Sequence, residues 1–150
     1  MIKFENPEDG KYFSQLLCKR GERISKYKLL FDFCDPSIKR KEFNKIRNSI
    51  VTRFLKLNGL VCGIAFDKIC DINSGINIDH IIPLSTNKLN KELRNMNSLK
   101  GKKVKTQSFG SNNIKNLILT CRKCNAHKKH KILTKREIRK ILNKKFITGK

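Results

Sequence analysis

Apolar positions in the first third of the chain recur at helical spacing. They do so over residues 12–17 and again over residues 43–57, where they occupy one face of a long amphipathic helix. Asp35 and Pro36 favour the start of this longer helix and Gly59 favours its end. The exposed face is predicted to carry Lys39, Arg40, Lys41, Lys45, Arg47 and Arg53. We therefore predict an N-terminal helical region over residues 1–59.

The pattern changes after residue 60, where alternation replaces helical spacing. Residues 76–80 alternate apolar and polar side chains, which predicts a strand that ends at Pro83. A second strand is predicted over residues 114–120 and a helix over residues 122–131. A C-terminal helix is predicted from Thr134, because a glutamate three residues later completes a capping box. Strands among several helices indicate an α+β fold.

A long basic segment separates the two predicted strands. Residues 85–113 exceed the length of an ordinary connection. We predict a basic insertion, partly helical over residues 89–96, that folds against the domain or wraps the ligand; a solvated loop is the alternative. Its basic residues are Lys88, Lys91, Arg94, Lys100, Lys102, Lys103 and Lys105.

The net charge of the chain indicates the class of molecule that it binds. The chain has 35 Lys and Arg against 12 Asp and Glu, a net charge of +23, which favours a nucleic acid. Aromatic residues are 7% of the chain and Trp is absent, so binding by base stacking is disfavoured and duplex DNA is the expected partner. We find no apolar run long enough to span a membrane and no signal peptide. The expected location is the cytoplasm, without a membrane partner.

Several residues in the second half suit metal-assisted cutting of a phosphodiester. Asp79 and His80 are followed by Asn116 and then by Asn125, which adjoins a Cys-x-x-Cys pair. A histidine of near-neutral pKa can take a proton from water at physiological pH. A divalent cation such as Mg²⁺ or Mn²⁺, held by Asp79 and an amide oxygen, can neutralise the phosphate and the departing oxygen.

Residues 62–129 resemble the HNH endonuclease family, whose site is a ββα-metal core. The matching elements are Asp-His-Ile-Ile-Pro at 79–83, Asn-Leu at 116–117 and Cys-x-x-Cys-Asn at 121–125, in the family's order. The resemblance covers about half of the chain, and the first sixty residues match no pattern that we recognise. It implies an HNH nuclease domain over residues 60–150, with the basic insertion inside it.

The resemblance also implies roles for individual residues. His80 takes the place of the general base and Asp79 that of a metal ligand. The amide of Asn116 takes the place of the residue that holds the site's loop and orients the histidine. Asn125 takes the place of the third residue, which completes metal binding. His127, two residues further on, is the alternative ligand. Only one of the two can readily enter the site, because residues two apart on a helix point about 200° from one another.

The cysteines suggest a second, structural metal. Cys121 and Cys124 form a zinc knuckle, and Cys62 and Cys70 are candidates for the other two ligands of a tetrahedral Zn²⁺. Seven residues separate this first pair, so the alternative is that Cys70 is a packing residue and no zinc binds. The two remaining cysteines, Cys18 and Cys34, lie in apolar surroundings in the sequence and are expected to be buried thiols.

These features predict a metal-dependent DNA endonuclease of a restriction, phage or mobile-element type. A double-strand break would need two successive nicks or a homodimer. The alternative is a non-catalytic zinc-containing protein that binds nucleic acid, although this reading leaves Asp79, His80 and Asn125 without a role. An RNA nuclease is weaker, because no RNA-binding module is recognisable. The predicted phosphate contacts are Arg122, Lys123, Lys128, Lys129, Lys102 and Lys103.

Overall fold

The computed structural model describes residues 2–129 and 131–148 and has a mixed α+β fold, as predicted. The α-helices of this part are α1 (Pro7–Leu17), α2 (Pro36–Asn58), α3 (Lys88–Glu92), α4 (Arg122–Lys128) and α5 (Lys135–Thr148). The strands are β1 (Ile76–His80), β2 (Ser85–Thr86), β3 (Gln107–Ser108) and β4 (Leu117–Cys121). Short 3₁₀ helices cover Ile24–Leu30, Ile72–Ser74 and Ile114–Asn116.

The centre of the fold is a two-stranded antiparallel sheet. Strand β1 pairs with β4, with Ile76 opposite Cys121 and His80 opposite Leu117, and α4 follows β4 directly. The two predicted strands are therefore confirmed, although the second begins only at residue 117. The side chain of Asn113 accepts a hydrogen bond from the backbone N–H of Lys115, which favours a 3₁₀ turn before the strand. Strands β2 and β3 form a second small sheet within the insertion.

Two clusters of buried apolar residues hold the elements together. The larger joins α1 and α5 to the segment after β1; its fully buried members include Phe13, Ile81 and Ile138. The smaller joins Phe43 and Phe54 of α2 to side chains of β1 and β4. Each cluster thus combines residues from the predicted N-terminal region and from the predicted nuclease domain. The boundary between residues 59 and 60 remains a prediction from sequence.

Helix α2 has the predicted ends but differs on its exposed face. Asp35 accepts a hydrogen bond from the backbone N–H of Ser37 at 2.8 Å, and Gly59 terminates the helix with φ of 71°. Lys39, which was predicted to be exposed, is completely buried. Its ammonium donates to the backbone carbonyls of Asp32 and Gly110, both at 2.6 Å, and of Leu84 at 3.1 Å. Helical spacing could not reveal this burial, since these acceptors come from other segments.

The insertion packs against the N-terminal helix instead of extending from the domain. Arg94 donates to the buried carboxylate of Asp9 in α1 at 2.7 Å and also to Gln107 across the insertion. Gly110 closes the insertion where the chain passes the backbone of Ile82. A Cβ atom at Gly110 would lie 1.9 Å from the Ile82 carbonyl oxygen, so only glycine fits at this crossing. The helical part is shorter than predicted and covers Lys88–Glu92.

The predictions for the C-terminal helices and for the two isolated cysteines are partly confirmed and partly wrong. The capping box of α5 is confirmed by reciprocal bonds of 2.9 and 3.3 Å between Thr134 and Glu137. The helix predicted over residues 122–131 ends at Lys128. Buried positions for the two isolated cysteines were wrong: Cys34 is exposed and Cys18 is only partly buried. Among the described helices, none combines the length and the apolar character required to cross a bilayer.

Candidate active site and metal-binding cysteine cluster

A cleft of about 390 Å³ opens at the end of β1, between α2 and α4. Asp79, His80 and Asn125 all line it. Because β1 ends at His80, two consecutive residues that would point to opposite faces of a longer strand both reach this cleft. The structure therefore brings together three of the four predicted catalytic and metal-ligating residues outside the cysteine cluster.

The imidazole of His80 is mostly buried and firmly held. Its Nε2 lies 2.9 Å from Oδ1 of Asn112, and its ring contacts Phe43 edge-on with a centroid separation of 4.6 Å. The Asn112 amide nitrogen donates to the carbonyl of Lys39 at 2.8 Å, which leaves its oxygen facing the histidine. Nε2 of His80 is therefore the protonated nitrogen, and Nδ1 carries the lone pair.

The protonation state of His80 follows from its surroundings. Burial lowers the pKa of His80 below its ordinary value of 6.5, opposed in part by the hydrogen bond to Asn112. A lowered pKa means that the ring is neutral at physiological pH. A neutral imidazole with a lone pair on Nδ1 can accept a proton.

Each oxygen of Asp79 has a close polar neighbour. Oδ1 accepts the backbone N–H of His80 at 2.8 Å, and Oδ2 lies 2.9 Å from the ammonium of Lys128. This ammonium also donates to the carbonyl of His80 at 3.0 Å and, although it is close to Oδ2, it is not oriented to donate a hydrogen bond to it. The Lys128 side chain is only 1% exposed. The prediction that Lys128 contacts phosphate does not fit this position, since α4 turns the side chain inwards.

Replacing Lys128 by methionine is expected to destabilise the protein by about 3–5 kcal/mol, because the volume is kept while Asp79 loses its buried counter-charge. The measurement is the free energy of unfolding in urea, followed by circular dichroism. Lys129→Met is the matched control: that side chain is exposed, and its replacement is expected to change stability by no more than about 0.5 kcal/mol. Equal stabilities of the two variants would contradict a buried ion pair at Asp79.

Asn116 lies beneath the cleft and is completely buried. Its amide nitrogen donates to the carbonyls of Ile82 at 3.0 Å and Ser111 at 2.8 Å, and its oxygen accepts the backbone N–H of Ile82 at 2.8 Å. It thus joins the segment after β1 to the end of the insertion. The residue that accepts a hydrogen bond from the histidine ring is Asn112, which was not predicted from sequence. Its only signal is its place in a Ser-Asn-Asn run shortly before Asn116.

The two candidates for the third position lie in different surroundings. Asn125 is half-buried and lines the cleft. His127 is exposed and packs edge-on against Phe66, with a centroid separation of 5.1 Å. Helix α4 therefore presents Asn125 to the cleft, and His127 is not among the residues that line it. His130 is outside the described residues.

Comparisons of this chain with known protein families, with curated proteins and with solved structures found no match.

The predicted cysteine cluster is confirmed. The sulfur atoms of Cys62, Cys70, Cys121 and Cys124 all lie within 4.8 Å of one another. Cys62 and Cys70 come from the segment before β1, Cys121 ends β4, and Cys124 lies in the first turn of α4. Backbone N–H groups point at the sulfurs: Cys62 accepts from Cys121 at 3.3 Å, and Cys121 accepts from Cys124 at 3.3 Å. Cys70 is exposed, so core packing does not explain its place in the cluster.

The spacing of the sulfur atoms suits a tetrahedral thiolate site. Zinc–sulfur bonds of about 2.3 Å place neighbouring sulfurs about 3.8 Å apart, and the Cys70 and Cys121 sulfurs are separated by 3.9 Å. Burial opposes ionisation of Cys121, but the N–H bonds from Cys124 and Asp71 lower its pKa to about 6. Burial raises the pKa of Cys70 to about 11 and raises that of Cys124 as well. The four cysteines are close enough to bind a metal such as zinc.

The predicted phosphate contacts are spread over the surface. Arg122 and Lys123 are exposed at the start of α4, where Lys123 forms an ion pair with Asp71 at 3.3 Å. Lys129 lines the cleft, whereas Lys102 and Lys103 are exposed in the insertion. The site predicted from sequence omitted four residues of α2 that also line the cleft, namely Phe43 and the polar residues Arg40, Asn44 and Arg47. The spacing of the three polar residues, four and three positions apart, is the signal that was available.

Proposed function

We propose that the protein is a metal-dependent endonuclease of the HNH type that hydrolyses phosphodiester bonds in duplex DNA. The observation that carries the proposal is the cleft in which Asp79, His80 and Asn125 meet, at the end of an antiparallel strand pair that leads directly into α4. This arrangement agrees with the order of the HNH-like motif in the sequence. The net charge of +23 supports a polyanionic substrate.

His80 acts in this proposal as the general base. Its Nδ1 takes a proton from a water molecule, and the oxygen of that water attacks phosphorus as the bond to the departing 3′ oxygen breaks. The imidazolium that forms keeps donating from Nε2 to the amide oxygen of Asn112, which stabilises the added charge. Asn112 is thus a positioning residue, and Asn116 keeps the loop after β1 in place.

Asp79 and Asn125 would hold the catalytic Mg²⁺ or Mn²⁺. One carboxylate and one amide oxygen suit such a cation, since Mg²⁺ is commonly bound by one or two carboxylates together with waters and substrate phosphate. When bound, the cation neutralises charge on the phosphate and on the departing oxygen. The ammonium of Lys128, 2.9 Å from Oδ2, holds the Asp79 carboxylate in place.

The cysteine cluster supports a structural Zn²⁺ as the second metal. It would join the start of α4, the helix that carries Asn125, to the segment before β1, the strand that carries Asp79 and His80. A cross-link at this point holds the two sides of the cleft together. The proposed zinc is therefore structural, and the proposed magnesium or manganese is catalytic.

Incubation with supercoiled plasmid tests the proposal. Protein purified with its zinc and dialysed free of other divalent ions is expected to convert supercoiled DNA to open-circular or linear forms only when Mg²⁺ or Mn²⁺ is added, as resolved on agarose gels. Excess EDTA is expected to stop the reaction. Absence of cleavage with every divalent ion tried would contradict the nuclease.

The same assay decides between the nuclease and the second candidate, a non-catalytic zinc-containing protein that binds nucleic acid. The cysteine cluster and the net charge favour that candidate without any use of the cleft. Plasmid retarded on the gel but uncut under all divalent ions would favour it. A linear product that forms without an open-circular intermediate would indicate paired cuts, as expected for a homodimer.

A further inference from the structure

We propose that α2 carries a binding site for DNA backbone phosphates on the side of the cleft opposite α4. The site consists of Arg40, Asn44 and Arg47, called here the α2 wall. Intervals of four and three residues place these side chains on one face of the helix, and all three line the cleft that contains His80. The inference rests on the proposed nuclease function, whose motif lies wholly outside α2.

The α2 wall is held next to the proposed base. The guanidinium carbon of Arg47 lies 5.2 Å from the centroid of the Phe43 ring, and the Phe43 ring contacts the His80 ring at 4.6 Å. The contact with the aromatic face restrains Arg47 without using its N–H donors. The guanidinium therefore remains able to bind phosphate near the bond to be cut.

Helix α2 is also fastened to the loops around the cleft. The buried ammonium of Lys39 donates to the carbonyls of Leu84 and Gly110. Asn112, whose oxygen holds His80, donates to the carbonyl of Lys39. The α2 wall and His80 thus belong to one hydrogen-bonded framework. DNA bound on the α2 wall would therefore lie at a defined distance from the His80 ring.

The charges of the wall are not neutralised by the protein. Among the side chains that the structure describes, those of residues 2–129 and 131–144, neither Arg40 nor Arg47 has an ion-pair partner. Lys129 faces them across the cleft, and the one carboxylate among the residues lining it belongs to Asp79, which is paired with Lys128. An arginine with free N–H donors in such surroundings suits the two oxygens of a phosphate.

The dimensions favour the backbone of a duplex. Arg40 and Arg47 are separated by about 10 Å along the helix axis, which corresponds to about three base steps of DNA. The wall can therefore meet phosphates on both sides of the cut. Phe43 is covered, with 4% exposure, so the wall presents no aromatic surface on which the bases of a single strand would stack.

The experiment measures binding of a fluorescein-labelled DNA duplex by anisotropy over a range of KCl concentrations. All variants are made in a His80→Gln background, so that cleavage does not interfere. The Arg40→Ala/Arg47→Ala variant is compared with Arg53→Ala/Lys56→Ala, which removes the same charge from exposed positions of α2 outside the cleft. In the wall variant, the negative slope of log K for DNA association against log salt is expected to become shallower by about 1.8. In the control variant the slope is expected to stay unchanged.

Equal losses in both variants would overturn the proposal, because binding would then depend on net charge and not on the wall. Tighter binding of an RNA duplex than of the DNA duplex by the protein with an intact wall would also overturn it. In the catalytically intact chain, the wall variant is expected to raise KM while kcat changes little. A wall variant with the expected loss of binding in a chain that never cuts would support the wall and contradict the nuclease. A chain that cuts with KM unchanged by the wall variant would contradict the wall alone.

Discussion

Replacing Cys121 by serine is expected to unfold the region around the cleft and to abolish zinc binding. Cys121 contributes a sulfur to the cluster, caps α4 and is completely buried in the larger core. Structural zinc sites contribute about 10 kcal/mol or more to folding, which is comparable with the whole stability of a domain of about 5–15 kcal/mol. Zinc content by atomic absorption and thermal unfolding by circular dichroism measure the effect.

Cys34→Ser is the matched control for this experiment, since Cys34 is an exposed thiol outside the cluster. It is expected to retain one zinc ion per chain and an unchanged melting temperature. Chelation of zinc from the unaltered chain is expected to reproduce the effect of Cys121→Ser. An unaltered chain that contains no zinc and melts at the same temperature as Cys121→Ser would contradict the zinc site.

Replacing His80 by alanine is expected to lower kcat by about 10²–10⁴-fold, the usual contribution of a general base. Binding of DNA is expected to remain close to that of the unaltered chain, because His80 is mostly buried and contacts Asn112 and Phe43. Plasmid nicking under single-turnover conditions measures the rate, and anisotropy measures the binding. Removal of the His80 ring leaves a cavity beside Phe43. Thermal unfolding of the variant shows whether this cavity affects the fold.

Two further variants separate catalysis from packing. His80→Gln keeps a side-chain amide that can donate to Asn112, so it is expected to fold normally while losing as much activity as His80→Ala. His127→Ala removes the exposed histidine that packs on Phe66 and is expected to cut DNA at the normal rate. Full activity in His80→Gln, or equal losses in His80→Gln and His127→Ala, would contradict the role of His80.

The elements that could be predicted from sequence depend on near neighbours along the chain. Helix α2 begins after Asp35 and ends before Gly59, because capping and left-handed backbone are properties of single residues. The alternation over residues 76–80 predicted β1 for a similar reason, since only one face of a strand is buried in the core. The order of the motif indicated the residues of the cleft, and Asp79, His80 and Asn125 do line one cleft.

The sequence alone thus determined local structure, the residue types available for chemistry and the strong positive charge. The tertiary structure decided which lysines are buried, that Asn112 holds His80, that Cys70 joins the cluster and that α2 faces the cleft. Periodicity indicates which face of a helix or strand is apolar. It does not indicate which polar groups of distant segments contact that helix or strand in the folded chain. Lys39 and Lys128 are buried because carbonyls and a carboxylate from distant segments meet their ammonium groups.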